Sequence, residues 1–383
     1  MSKRRISPDA SPRAGRAWRL AGIVLPLALV IAACGGGAAE PADGETIQLR
    51  YSGIFGKDAG LQRQLDWYMD EVEERTDGRV EFERFYDSSL LGATDTLAGL
   101  VEGRAETAYM VPAYAPADMP LWNASFVPVA GTNAESVTRS QAEMNQSNEA
   151  FQQELENAGI KMLVFNVVPS ITSVWAPDPI TGVEQLDGMS VRSLGYLSQA
   201  LELRGVNPVV LEAPETYESI QRGVVDGAGG FAIDVLTDQG LHEVAPWGLY
   251  MGFGEWVGAG FAMSVEEWEA LPADIQEIML EVTDDFYDEA IKIAEDAEAS
   301  ACDAVLEAGG GVTTLPDDQV QAWVDDIGDS LWEAWRSDAA SSGASEEDIA
   351  SVEEDYRALN EQFAAESTYT PGAETCVERT ELP

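Results

Sequence analysis

Short apolar runs and turn signals alternate most densely along residues 187–230. Gly188 opens an apolar run, Met189 to Val191, that predicts a buried strand, and Arg192 stands where it ends. Ser193 and Gly195 lead into a helix predicted over 196–204, and Asn207-Pro208 turns the chain into a second strand over 209–211. Pro214 precedes a helix over 215–222, and Val224-Val225-Asp226-Gly227 begins a third strand. Strands alternating with helices in this way predict a parallel α/β sheet, whose ligands bind outside the carboxyl ends of the strands. Arg192 is therefore the leading candidate binding residue, because a guanidinium is a planar donor fork that matches a carboxylate.

Toward the N-terminus, residues 47–51 and 80–85 alternate as strands. Between them a helix is predicted over 61–76, with Leu65, Tyr68, Met69 and Val72 on one stripe. Residues 111–128 are rich in Pro and aromatics (Tyr114, Trp122, Phe126), and a helical pattern runs over 134–158. Residues 161–168 form a near-continuous apolar run, and Trp175 follows within 170–179. Past Gly227 the chain runs through Phe231 and a short helix to Val244. A loop of Gly and aromatics over 247–255 and a strand over 256–263 come next. Ser264 to Glu267 is a capping box, and an apolar stripe from Ile275 to Val305 then predicts one helix of more than thirty residues. Two acidic helices are expected over 317–337 and 346–366, and the tail beyond Thr368 has no periodicity.

Gly188/Val191/Arg192, then Gly205/Pro208, then Glu215/Tyr217/Gln221/Gly223/Val225/Asp226/Gly227 follow one another in the order and spacing of a known pattern. On these residues the chain resembles the solute-binding subunit of tripartite ATP-independent periplasmic (TRAP) transporters, of the dicarboxylate-binding family. Leu91-Gly92, a helix to Gly103 and a strand ending at Met110 extend the resemblance over most of residues 46–290. It implies a two-domain α/β fold of the type II periplasmic-binding-protein kind, with hinge strands and a long helix spanning both domains. The domains expected are 46–168 with about 262–310, and 169–261. Helices over 311–367 would pack on both, followed by a tail over 368–383. It also implies a small-molecule ligand and TRAP membrane permease subunits as partners.

The first residues do not belong to that fold. Lys3, Arg4, Arg5, Arg13, Arg16 and Arg19 precede an apolar run, Leu20 to Ala32, too short to span as a mature helix. Ile31-Ala32-Ala33-Cys34 looks like a lipobox, so residues 1–33 read as a signal peptide, Cys34 as the lipidated residue and 34–45 as a tether. An ordinary signal peptide that happens to contain a Cys is the alternative, and the lipobox favours the lipidated form. The expected location is extracytoplasmic, with membrane contact through the lipid only. Residues 1–33 hold six of the 22 Lys and Arg and one of the 68 Asp and Glu, leaving 16 against 67, a net charge of −51. Such acidity excludes nucleic-acid binding and points to a hydrated surface suited to high salt. With Cys34 lipidated, Cys302 and Cys376 are left as the expected disulfide of an exported protein.

No nucleophile elbow, phosphate loop, zinc-protease helix or calcium-loop pattern occurs, and the single histidine, His242, lies in a helical stretch. A binder rather than an enzyme is expected, with no cofactor, no catalytic residues and no metal site. Organic-acid binders of the family often carry a second arginine about twenty residues before the first; here that position is Thr172. The family's Asn after the V-D-G pattern is Gly230, and a usual cleft aromatic falls near Ala213. Trp175, Tyr217, Phe231, Phe253 and Trp256 are candidates to surround Arg192. The ligand expected is a monocarboxylate or zwitterion with an apolar or cationic body, since aromatic faces favour both. A binding protein of an ATP-driven importer, a ligand-sensing partner of a membrane receptor and, from another class, a secreted hydrolase are the competing readings.

Overall fold

The computed structural model describes residues 46–169, 173–252 and 254–383. The signal peptide, Cys34, Thr172 and Phe253 lie outside the described residues. Eleven strands run in chain order: β1 (Ile47–Ser52), β2 (Val80–Phe85), β3 (Thr107–Met110), β4 (Ile160–Phe165), β5 (Ser173–Ala176), β6 (Ser190–Arg192), β7 (Asn207–Val209), β8 (Gly227–Gly229), β9 (Trp247–Tyr250), β10 (Gly260–Ser264) and β11 (Gly311–Thr314). They form two sheets, β2-β1-β3-β10-β4 and β11-β9-β5-β8-β6-β7, each the centre of one lobe. In the first lobe β1 is parallel to β2 and β3, and β10 lies antiparallel between β3 and β4. The chain therefore leaves the first lobe after β4, returns at β10 and leaves again along the helix that precedes β11.

The crossing after β4 is pinned by buried amides. Asn166 Nδ2 donates to the Leu61 carbonyl at 3.0 Å and to Gln64 Oε1 at 3.1 Å, and Gln64 Nε2 donates to the Val167 carbonyl at 2.9 Å. The Asn166 N–H donates to the Ala259 carbonyl at 2.9 Å, so the outgoing and returning strands brace each other. Unpaired amides in so buried a place would each cost roughly 1–3 kcal/mol, which keeps the crossing in one conformation.

One helix, Ala273–Glu307, spans both lobes. Its first half carries large residues: Phe286 meets Tyr68 edge-on at 6.2 Å, and the Tyr68 hydroxyl donates to the Met279 carbonyl. Its second half is lined by Ala290, Ala294, Ala297 and Ala301, and small side chains let other backbones approach closely. Gly60 is one such neighbour, a Cβ there lying 2.6 Å from the Ala297 Cβ.

Several segments differ from the sequence expectations, among them 134–158, which is two helices, Ala134–Ser147 and Glu149–Asn157, parted at Asn148. Residues 247–250 form strand β9, not a loop; the strand is buried on both faces, which erases alternation. Residues 311–314 form β11, parallel to β9, in a stretch too short to show a period. The helix expected over 317–337 is two, Asp317–Ile327 and Ser330–Ser341, broken at Gly328 with φ 47°. The tail forms a helix, Gly372–Arg379, whose Cys376 is joined to Cys302 with a Cα–Cα distance of 5.6 Å. Glu298 adds to that anchorage, accepting from the Gly372 N–H at 2.7 Å and from the Tyr369 hydroxyl.

Most of the few basic side chains are held by acids: Arg336 lies 2.7 Å from both Asp329 and Glu353, and Arg84 lies 2.6 Å from Asp70. The excess carboxylates repel one another across the surface, and that repulsion shrinks as the Debye length falls from about 10 Å at 0.1 M to about 3 Å at 1 M. The melting temperature is expected to rise between low and molar sodium chloride. A flat or falling profile in calorimetry would contradict the high-salt reading.

Candidate functional site

Arg192 is the last residue of β6, with its side chain turned into the space between the lobes and only 3% exposed. Nε donates to the Leu211 carbonyl at 3.0 Å and one terminal nitrogen to the Gly229 carbonyl at 3.3 Å. The Phe231 ring covers the guanidinium at 4.3 Å. Among the described residues no carboxylate pairs with it, whereas Arg204 pairs with Asp326 at 2.9 Å and Arg222 with Glu218 at 2.8 Å. Burial lowers the pKa of Arg192 from its ordinary value, but a guanidinium so far above neutrality stays charged. A charge taken out of water without a partner is expensive, so the place calls for an anion.

The cavity beside Arg192 measures about 80 Å³, well under the roughly 300 Å³ at which drug-sized pockets begin. The first lobe supplies Ile54, Phe55, Leu61, Tyr109, Val111 and Tyr114 to its wall. The second supplies Leu194, Ala213, Gly230, Phe231, Ala232 and Val235 beside Arg192. Phe126, Val168 and Val257 complete it. Ala213 and Gly230, two of the three departures from the family pattern noted above, both lie on this wall and leave it without the usual aromatic and amide.

Of the aromatics singled out from the sequence, the structure brings Phe231 to Arg192 and leaves three elsewhere. Trp175 is inside the second lobe on β5, its ring over Gly248, where a Cβ would meet ring carbons at 2.8 Å. Tyr217 turns its hydroxyl to Glu243 at 3.1 Å, away from the cavity. Trp256 is buried but does not line the cavity, although its neighbour Val257 does. In exchange, Tyr109, Tyr114 and Phe126 line it. The aromatic richness of 111–128 was the available signal for Tyr114 and Phe126, and nothing in the sequence said that this segment folds over β6.

Behind the wall, next to Val235, Asp234 is buried, and its carboxylate lies against Gly60, the first residue of helix Gly60–Arg75 of the other lobe. Burial pushes its pKa up to about 6, with Arg63 opposing the shift and Asp238 adding to it. A raised folded-state carboxyl contributes stability that is fully present below its ordinary pKa near 3.8 and is lost as pH rises through about 6. Asp234→Asn is thus expected to be more stable than the parent at pH 7.5, by up to roughly 2–3 kcal/mol, with the gain vanishing near pH 4. Denaturant melts at both pH values check this, and an equal effect at both would reject it.

Residues 61–338 match the model of the family described as bacterial extracellular solute-binding protein, family 7. The chain belongs to this family. It is similar to the ectoine-binding periplasmic protein of Halomonas elongata, 24% identical over 258 residues, 66% of this chain and 74% of that one. It is likewise similar to the C4-dicarboxylate-binding periplasmic protein of Rhodobacter capsulatus, 23% identical over 275 residues, 70% and 80% of the two chains. Among solved structures, a marine-metagenome TRAP solute-binding protein specific for aromatic acid ligands, in complex with 3-hydroxybenzoate, superposes with a TM-score of 0.73. It is 18% identical, covering 84% of this chain and 99% of that one. A TRAP solute-binding protein of Rhodoferax ferrireducens with copurified benzoate gives a TM-score of 0.72 at 19% identity and the same coverage. These structures share the two-lobed type II fold seen here. The chain is accordingly an extracytoplasmic solute-binding protein of the TRAP type and not an enzyme. No helix among the described residues is long and apolar enough to cross a membrane.

Proposed function

We propose that this protein captures a small monocarboxylate with an apolar body between its lobes and hands it, in the closed form, to a TRAP-type membrane permease. The observation that carries the reading is the buried Arg192 guanidinium, which has no carboxylate partner among the described residues and faces an apolar cavity. Of the ligand classes expected from sequence, a zwitterion would have to hold its cationic end on aromatic faces alone, since no acid lines the cavity among the described residues. A dicarboxylate would need a second cation, and among the described residues none lines it either. Phe55, Tyr109, Phe126 and Phe231 suit an aromatic or aliphatic body instead. Relatives support the class: structural neighbours hold benzoate, 3-hydroxybenzoate and orotic acid.

Anchoring through a lipid on Cys34 belongs to the same proposal, since a tethered receptor stays near its permease. The deciding experiment is mass spectrometry of the solute released when the purified protein is denatured. A small monocarboxylic acid is the expected result; a released solute without a carboxyl group would overturn the reading.

A further inference from the structure

We propose that Tyr114 is the second anchor of the ligand carboxylate, supplied by the lobe opposite Arg192. The inference rests on the reading of the cavity as a carboxylate site. A carboxylate has two oxygens to satisfy, and leaving one without a donor in an apolar enclosure is costly. Arg192 is only part of the answer, because two of its five N–H groups are already spent on the Leu211 and Gly229 carbonyls. Among the described residues that line the cavity, only Tyr109 and Tyr114 add side-chain donors. Tyr114 is the one placed near the guanidinium: both line the same cavity of about 80 Å³, and the charge of Arg192 acts on its phenol. Arginine has no acceptor, so the guanidinium cannot take up the tyrosine proton, which stays available to a ligand oxygen. Burial keeps the phenol protonated, with nearby Glu212 acting the same way and Arg192 the opposite.

The backbone gives this hydroxyl a fixed position. Tyr114 ends the short turn Pro112–Tyr114 directly after β3, whereas Arg192 ends β6 of the other sheet. One carboxylate bonded to both would join the lobes, so ligand binds the closed form better than the open form, as any closure driven by ligand requires. Tyr114 thereby takes the place of the family's second arginine, with a neutral donor that suits a single negative charge.

Benzoate is the probe, titrated calorimetrically against the parent, Tyr114→Phe and Arg192→Ala proteins. Tyr114→Phe keeps the ring and its packing, so its melting temperature should stay close to the parent's while benzoate binds about ten- to a hundredfold more weakly. A crystal structure of the parent with benzoate should place one carboxylate oxygen on the Tyr114 hydroxyl and the other on Arg192. Tyr114→Phe binding within about twofold of the parent, or a carboxylate lying away from Tyr114 in the crystal, overturns the inference alone if Arg192→Ala still abolishes binding. A parent protein that binds neither benzoate nor any other monocarboxylate fails the underlying reading and takes this inference with it.

Discussion

Arg192→Ala is expected to weaken monocarboxylate binding by roughly thirtyfold to several-thousandfold, the equivalent of about 2–5 kcal/mol. In a protein with 67 acids against 16 bases beyond residue 33, no long-range field draws an anion in, so affinity must come from contacts made on arrival. The unpaired guanidinium is the only cation on the cavity wall among the described residues. Arg192→Lys is expected to fail nearly as badly, because one ammonium cannot reach the Leu211 and Gly229 carbonyls and a ligand together. Arg222→Ala, which loses an exposed pair with Glu218, should be neutral in affinity and nearly so in stability. Arg204→Ala should also bind normally but melt lower, since Arg204 covers the Trp323 ring at 5.2 Å. The stability of the empty protein separates the roles further. In unliganded Arg192→Ala the relief of burying an unpaired charge offsets the lost bonds to Leu211 and Gly229 and the lost cover over Phe231, so its melting temperature should change little while binding is lost in the same sample. If Arg192→Ala binds within about threefold of the parent while folded, Arg192 is structural and the site is misplaced.

Replacing both Cys302 and Cys376 with alanine is expected to lower stability by about 4 kcal/mol. The bridge closes a loop with a sequence separation of 74 residues, and on the chain-entropy account a loop of that size contributes roughly this much. The effect concentrates at the C-terminus, where helix Gly372–Arg379 is otherwise held by the Glu298 contacts, the Arg379–Asp303 pair and the Thr380 hydroxyl, which accepts from the Val312 N–H. Denaturant unfolding of the double variant measures the loss. Thiol titration of the unreduced, denatured protein lacking residues 1–34 should find no free thiol. Two titratable thiols would show that the bridge does not form, and a stability change within about 1 kcal/mol would show that loop closure counts for little here.

The local pattern determined much of this protein. The alternation of strand and helix over 187–230, the stripe of the long helix and the place of Arg192 at a strand end follow from periodicity and turn residues, because each depends on neighbours a few positions away. The disulfide partners followed from the cysteine count of an exported chain. What the pattern did not hold was decided between segments far apart in sequence. Strand β9 is buried on both faces, so its side chains show no alternation, and Gly248 is small because Trp175 lies over it. Strand β11 exists because β9 offers it an edge, and the last helix because Cys302 and Glu298 hold it. The cavity wall is the same case: Tyr114 and Arg192 are 78 positions apart, one in the turn after β3 and the other ending β6 of the other sheet. Their meeting comes from the closing of two lobes around the crossing at Asn166, where contact depends on tertiary packing and no short-range period records it.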